Sequence, residues 1–216
     1  MDAPPLSAAW PRLVLGSTSV YRRDLLARLN WPFDAQAPHV DETPLVGESA
    51  RELAWRLATL KAQAVAAQCP DDAIIIGSDQ VAELDGQAVG KPGDHARATA
   101  QLRAMRGRTV RFHTAVSVAR PRTGHLETAV NTVDVGFRSL TDTEIDTYLR
   151  LEQPYDCAGS AKCEGLGITL LERIDSDDPT SLIGLPLILT CRMLAAGGLP
   201  ILAAHATRTS PLPHRF

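Results

Sequence analysis

Apolar residues along this chain recur with two periods, and its chemistry-bearing side chains fall where one period gives way to the other. Leu13-Val14-Leu15 is a short unbroken run that predicts a buried strand, and Leu25, Leu26 and Leu29 behind it keep helical spacing. Between them Ser17-Thr18-Ser19 forms a hydroxyl-rich loop, with Arg22 and Arg23 in the first helical turn. An extended piece over 31–43 precedes a helix over about 49–68 with Leu53, Leu57, Leu60 and Ala64 on one face. Ala73-Ile74-Ile75-Ile76 predicts a strand buried on both faces that ends at Asp79, and Asp85-Gly86 suits a type I′ hairpin turn leading to Gly90-Lys91-Pro92. The pattern continues with a helix over 94–105, strands over 110–119 and 126–137, and a helix from Thr141 whose Glu144 completes a capping-box signature. After an irregular stretch over 154–167 come a strand over 168–171 and a last helix over 186–196. This alternation predicts an α/β fold, a mixed sheet flanked by helices around a substrate cleft. The expected organisation is an extension over 1–11, one two-lobed domain over 12–198 and a flexible tail over 199–216, of which 203–216 mixes Pro, Ser, Thr, His and Arg without periodicity.

Composition narrows the function classes. With 216 residues, 44% of them hydrophobic and 22% charged, and a formal net charge of -3, the chain resembles neither a disordered tail, a basic nucleic-acid-binding face nor a membrane span. A polyanionic ligand must therefore be met locally. Residues 1–11 lack a cationic stretch followed by a long apolar run, so the cytoplasm is the expected compartment. Cys69, Cys157, Cys163 and Cys191 form no C-x-x-C pair and no zinc spacing, which predicts free thiols.

The loop at 16–23 has the anatomy of an anion site, with free N–H groups at a helix start and two guanidiniums one turn in. The same residues also suit an ordinary capped helix with solvated arginines. Asp41, Glu42 and Asp79 are carboxylates beside strand ends or loops, and their convergence near phosphate would suit Mg²⁺; a surface acid or a helix cap is the competing reading. Lys61 and Lys91 are the candidate phosphate-binding lysines, each also compatible with a solvated surface. Gly90-Lys91 lacks the glycine spacing and the following Ser or Thr of a Walker loop, which argues against a P-loop nucleotidase.

Six segments in order carry a resemblance: Gly-Ser-Thr-Ser-Val-Tyr-Arg-Arg at 16–23, Val-Asp-Glu-Thr at 40–43, Arg-Leu-Ala-Thr-Leu-Lys-Ala at 56–62, Ile-Gly-Ser-Asp-Gln-Val at 76–81, Gly-Lys-Pro at 90–92 and Cys-Ala-Gly-Ser-Ala-Lys-Cys-Glu-Gly at 157–165. Together they resemble the Maf family of nucleoside triphosphate pyrophosphatases, over about 13–197. The resemblance implies a Maf/ITPase-like α/β fold, a homodimer and hydrolysis of the α–β phosphate bond with a divalent metal, Mg or Mn. It further implies Asp79 as proton acceptor, Ser17, Arg22, Arg23, Lys61 and Lys91 as phosphate ligands, and Glu42 with Asp79 at the metal. Tyr21, Gln80 and Glu164 look like the subfamily acting on 7-methyl-GTP. Methylated guanine is cationic, so Tyr21 could stack on it by cation–π attraction while Glu164 neutralises the charge and accepts the base's N–H groups. The alternatives are a dTTP or UTP pyrophosphatase and a non-catalytic nucleotide-binding regulator of cell division. Neither nucleic acid nor membrane is an expected partner.

Overall fold

The computed structural model describes residues 10–69 and 72–207. In chain order its elements are β1 (Arg12–Gly16), α1 (Val20–Ala27), β2 (Phe33–Ala35), α2 (Ala50–Ala66), β3 (Ala73–Leu84), β4 (Gln87–Val89), α3 (His95–Met105), β5 (Thr109–Arg120), β6 (His125–Phe137), α4 (Asp142–Glu152), β7 (Leu171–Asp175), α5 (Leu187–Ala196) and α6 (Ile201–Thr207). They build the expected mixed α/β arrangement. The strand order is β2-β1-β3-β5-β6-β7, with β4 folded back on β3; β1 pairs with β2 and β3 in parallel and every other pairing is antiparallel.

The two β-branched and leucine runs find each other: Leu13 pairs with Ile74 and Leu15 with Ile76, all buried. Pairing between β1 and β3 stops at Gly16 opposite Gly77, whereas β3 continues to Leu84 on the support of β5. This corrects the expectation of a strand ending at Asp79. β4 rejoins the same edge of β3 only from Ala82, so Ser78 to Val81 have no strand on that side. The gap opens beside the carboxyl end of β1, where ligands of open α/β sheets gather. The hairpin turn is as expected, with Asp85 and Gly86 both at positive φ (53° and 75°), the backbone that a type I′ turn requires.

Alternation along β3 and β5 assigns two faces. Val14, Ile75, Val81 and Ala115 lie under α2, whose Leu53, Leu57, Ala58, Ala62 and Val65 are buried there. On the opposite face, Leu13, Leu15, Ile74, Ile76, Val116 and Val118 pack with α1, α5 and α6, and Val110, Phe112, Val133 and Val135 pack with α3 and α4. Ser78, Gln80 and Thr114 form a polar belt between those two apolar clusters. The helix starts follow their caps: Ser49 with Glu52 and Thr141 with Glu144 both close reciprocal capping boxes.

Two further expectations are corrected. A turn of 3₁₀ helix spans Leu166–Leu170, and the strand predicted over 168–171 begins only at Leu171; a Cβ at Gly167 would sit 2.4 Å from Lys162 O, so this segment is wound too tightly for strand pairing. The predicted tail begins too early. Leu199 is fully buried, Leu199 N–H bonds Leu194 O at 2.7 Å, and His205 of α6 meets Trp31 edge-on at 5.2 Å. Apolar Leu199, Ile201 and Ala204 hold this stretch on the core; the rest of the predicted tail, 208–216, lies outside the described residues. At the other end, Trp10 belongs to the fold, its Nε1–H bonding Thr207 Oγ1 at 3.1 Å; residues 1–9 are likewise outside the described residues.

An ion pair fastens the start of β3 to the end of β5. Arg120 donates to both Asp72 oxygens (2.8 and 2.7 Å) and to Gly197 O (3.0 Å). Those bonds hold the Asp72 carboxyl below the usual carboxylate range against the opposing effect of burial. The pair therefore contributes fully above the ordinary aspartate value of about 3.9 and loses its contribution as pH falls below that and through the depressed folded value. Asp72→Asn is expected to lower stability by about 1–3 kcal/mol at pH 7. Urea unfolding at pH 7 and pH 3 should show the gap between wild type and variant narrowing at the lower pH, and a gap independent of pH would refute this role.

Candidate active site

The chain turns as soon as β1 ends. Ser17 N–H bonds back to Leu15 O (2.9 Å), Ser19 N–H donates to Ser17 Oγ (3.1 Å), and Ser19 Oγ caps α1 by accepting from Arg22 N–H (3.4 Å). This winding brings Arg22 back over the loop, with Nη1 donating to Ser17 Oγ at 3.4 Å and Nε to Gly184 O at 3.0 Å. Burial pulls its guanidinium below its ordinary value, and the charges of Asp79 and Glu42 push the other way. The capped-helix and anion-site readings are thus compatible: the cap is what aims the arginine.

Lys61 reaches the same gap from α2. Its stem runs along the buried face of the helix, and its Nζ lies 2.6 Å from Asp79 Oδ1 and 2.6 Å from Glu42 Oε1. An ammonium that is only 5% exposed needs such partners, and here it has two. Asp79, itself 8% exposed, spends one oxygen on Lys61, and its other oxygen has no hydrogen-bond donor among the described residues. Burial pushes the Glu42 carboxyl up, but the hydrogen bond and charge of Lys61, then the charges of Lys91 and Arg22, together hold it below the usual range. Lys91 is exposed on the loop after β4 and close enough for that charge to be felt.

Ser17, Arg22, Glu42, Lys61, Asp79 and Lys91 therefore converge, from five separate segments, on the gap in the β3 edge. Arg23 does not join them by any direct contact: it is exposed on the adjacent position of α1, with its backbone N–H on Ser19 O (3.1 Å). Asp41 is also outside the cluster, its Oδ1 accepting from Thr43 N–H (2.9 Å). Among the described residues no group of three or more His, Cys, Asp or Glu is arranged to hold a metal ion.

The three specificity candidates separate. Gln80 faces away from Asp79 into the polar belt, where its Nε2 donates to Thr114 Oγ1 (2.9 Å), Ser181 O (3.0 Å) and Leu182 O (3.1 Å). It thereby holds the turn whose Gly184 carbonyl accepts from both Arg22 and Ser78. Tyr21 and Glu164 belong to another region. The Lys162 ammonium stands 5.8 Å from the Tyr21 ring centroid, Lys162 N–H donates to Tyr148 Oη at 3.1 Å, and the Glu164 charge helps burial push the Tyr148 phenol up. Lys162 and Gly184 were not singled out from sequence. Lys162 lies in the 157–165 segment with no local signal of its own, and no local pattern marks Gly184. Burial pushes the Cys157 and Cys163 thiols up to about 12, so neither is a thiolate nucleophile near neutral pH.

Glu42 and Asp79, bridged by Lys61 and flanked by Arg22 and Lys91 beside the carboxyl end of β1, form an array whose charges suit a phosphate-bearing ligand. The model of the Maf family, described as Maf-like protein, matches residues 12–197 of this chain, which therefore belongs to the Maf family. Similar relatives are the 7-methyl-GTP pyrophosphatases of Albidiferax ferrireducens (61% identical, covering 89% of this chain and 96% of the relative), Polaromonas sp. (62%, covering 88% and 87%) and Burkholderia pseudomallei (58%, covering 91% and 92%). Among solved structures, the Staphylococcus aureus Ham1 protein aligns at 18% identity and TM-score 0.43 over 59% of this chain and 72% of its own.

Proposed function

We propose that this chain hydrolyses 7-methyl-GTP to 7-methyl-GMP and pyrophosphate, clearing a modified nucleotide. The observation that carries the reading is the Lys61 ammonium set 2.6 Å from both Glu42 and Asp79, with Arg22 and Lys91 around it. Such an array neutralises and orients a triphosphate, and positioning with charge stabilisation is most of what phosphoryl transfer asks of a protein. Ser17, Arg22, Lys61 and Lys91 grip the phosphates, with Arg23 meeting them from the rim. Asp79 takes the proton of the attacking water through its unbonded oxygen, the water oxygen bonds to the α-phosphorus, and the α–β anhydride opens with pyrophosphate carrying away the bonding pair. The donor set fits a hard divalent cation. Two carboxylates completed by substrate phosphates are how Mg²⁺ is usually bound, so Glu42 with Asp79 would hold Mg or Mn. Such an ion supplies charge neutralisation at the phosphates.

The name 7-methyl-GTP pyrophosphatase, carried by all three relatives, supports the choice of nucleotide, as does the Tyr21 ring, whose face already accepts the Lys162 ammonium at 5.8 Å and suits a cationic base. Tyr21 and Glu164 meet the base; Gln80 acts from behind, through the turn at 181–184. Purified protein given Mg²⁺ with 7-methyl-GTP, GTP, dTTP and UTP should release pyrophosphate, not phosphate, and chiefly from the methylated nucleotide. The triple exchange Tyr21→Arg, Gln80→Thr and Glu164→Gln should move preference toward dTTP and UTP by at least tenfold, about 1.4 kcal/mol. A wild type that prefers dTTP, or an exchange that leaves preference unmoved, would sink the base assignment.

A further inference from the structure

Resting on that reading, we infer that Gln101 is a positioning residue that locks the segment reading the base to the loop presenting Lys91. Gln101 lies in the middle of α3, and its half-buried side chain uses both ends of its amide. Oε1 accepts from Ser160 Oγ at 2.5 Å, and Nε2 donates to Gly90 O at 3.0 Å. Gly90 immediately precedes Lys91, and Ser160 belongs to the 157–165 segment that carries Lys162 and Glu164. A second bond runs beside the first, from Gly93 N–H to Tyr155 O at 3.0 Å. Both ends of the lysine loop are thus tied to the 155–160 stretch.

Each partner needs the tie. Ser160 is fully buried in the left-handed region (φ 54), just after Gly159 (φ 70), where a Cβ would stand 3.1 Å from Phe112. A serine held there stores strain that its surroundings must hold in place. Lys91 is exposed beyond the three-residue β4, with no helix or strand of its own to aim it. An amide is the side chain that donates to a carbonyl and accepts from a hydroxyl at once; Glu keeps only the acceptor and Met has neither function. The bridge holds the distance between the base and phosphate ends of the site to one value.

The test separates the two arms. Gln101→Met should lower kcat/KM for 7-methyl-GTP about tenfold, in line with the cost of small misplacements. Gln101→Glu, which retains the Ser160 bond and loses the one to Gly90, should weaken pyrophosphate inhibition several-fold and leave the preference for 7-methyl-GTP over GTP intact. Ser160→Ala should do the reverse. Hydrogen exchange at 90–93 and 158–162 should quicken in Gln101→Met while α3 keeps its protection. Wild-type kinetics and exchange in Gln101→Met would overturn the inference, and so would uniform loss of stability and activity in all three variants with no split between the arms. A wild type that cleaves some other triphosphate would overturn the nucleotide reading alone. Pyrophosphate binding and exchange still decide on Gln101 in that case, because neither depends on the base.

Discussion

Asp79→Asn is expected to fold and to lose roughly 10²–10⁴-fold in kcat, the span typical of a removed general base. The substitution is isosteric and keeps an oxygen for Lys61, whose ammonium also retains Glu42 at 2.6 Å, so the buried cation is not stranded. Melting temperature should fall by only a few degrees, whereas removing both acids would leave a 5%-exposed ammonium without a partner. Arg22 and Lys91 are untouched, so at saturating Mg²⁺ KM should change little and the loss should appear in turnover, while the Mg²⁺ concentration needed should rise, because the amide nitrogen that replaces the second oxygen cannot ligate the cation. Steady-state kinetics on 7-methyl-GTP beside a thermal melt read both quantities. Near-normal turnover in a folded variant would remove Asp79 from the role of base and leave it as a partner of Lys61.

Local patterns exposed most of the elements and almost none of the distances. The strands at 13–15 and 74–76 were legible because unbroken β-branched and leucine runs have few other fates, and the hairpin because Asp85-Gly86 suits the positive φ it adopts. The apolar run stops at Ile76, so the polar Ser78, Asp79 and Gln80 place the expected strand end at Asp79 and the hairpin after it. In the fold they remain strand, with each polar group answered by a distant element: Ser78 by Gly184, Asp79 by Lys61, and Gln80 by the 181–184 turn. Tertiary partners of that kind leave no mark in local periodicity. Arg22 and Arg23 show the same limit, since adjacent positions on a helix point about 100° apart and only the fold decides that Arg22 turns inward. The expected tail starts too early, at 199, because residues 203–216 carry no period, although Leu199 and Ile201 ahead of them are core.

Gly77→Ala is expected to be among the most damaging single-methyl changes in the described residues. A Cβ there would lie 2.3 Å from Ala58 O, 2.5 Å from Ala62 N and 2.9 Å from Ala62 Cβ. These atoms are the backbone of α2 and the stub of an alanine, so no flexible side-chain end can swing aside. The helix itself must lift from β3, and overpacking of this kind typically costs about 1–3 kcal/mol, with more expected where backbone meets backbone. Lys61 lies between Ala58 and Ala62 on that same turn, and the lift would pull its ammonium away from Asp79 and Glu42. Displacement of about 1 Å at a catalytic array can cost 10²-fold, so the folded fraction should itself turn over slowly. Urea unfolding with kinetics at low temperature separates the two effects. Ala62→Gly in the Gly77→Ala background removes only the mildest of the three contacts and should restore little of either. A Gly77→Ala protein as stable and as active as wild type would mean that α2 rides freely over the sheet, and that the lysine bridge does not depend on the closeness of this helix to β3.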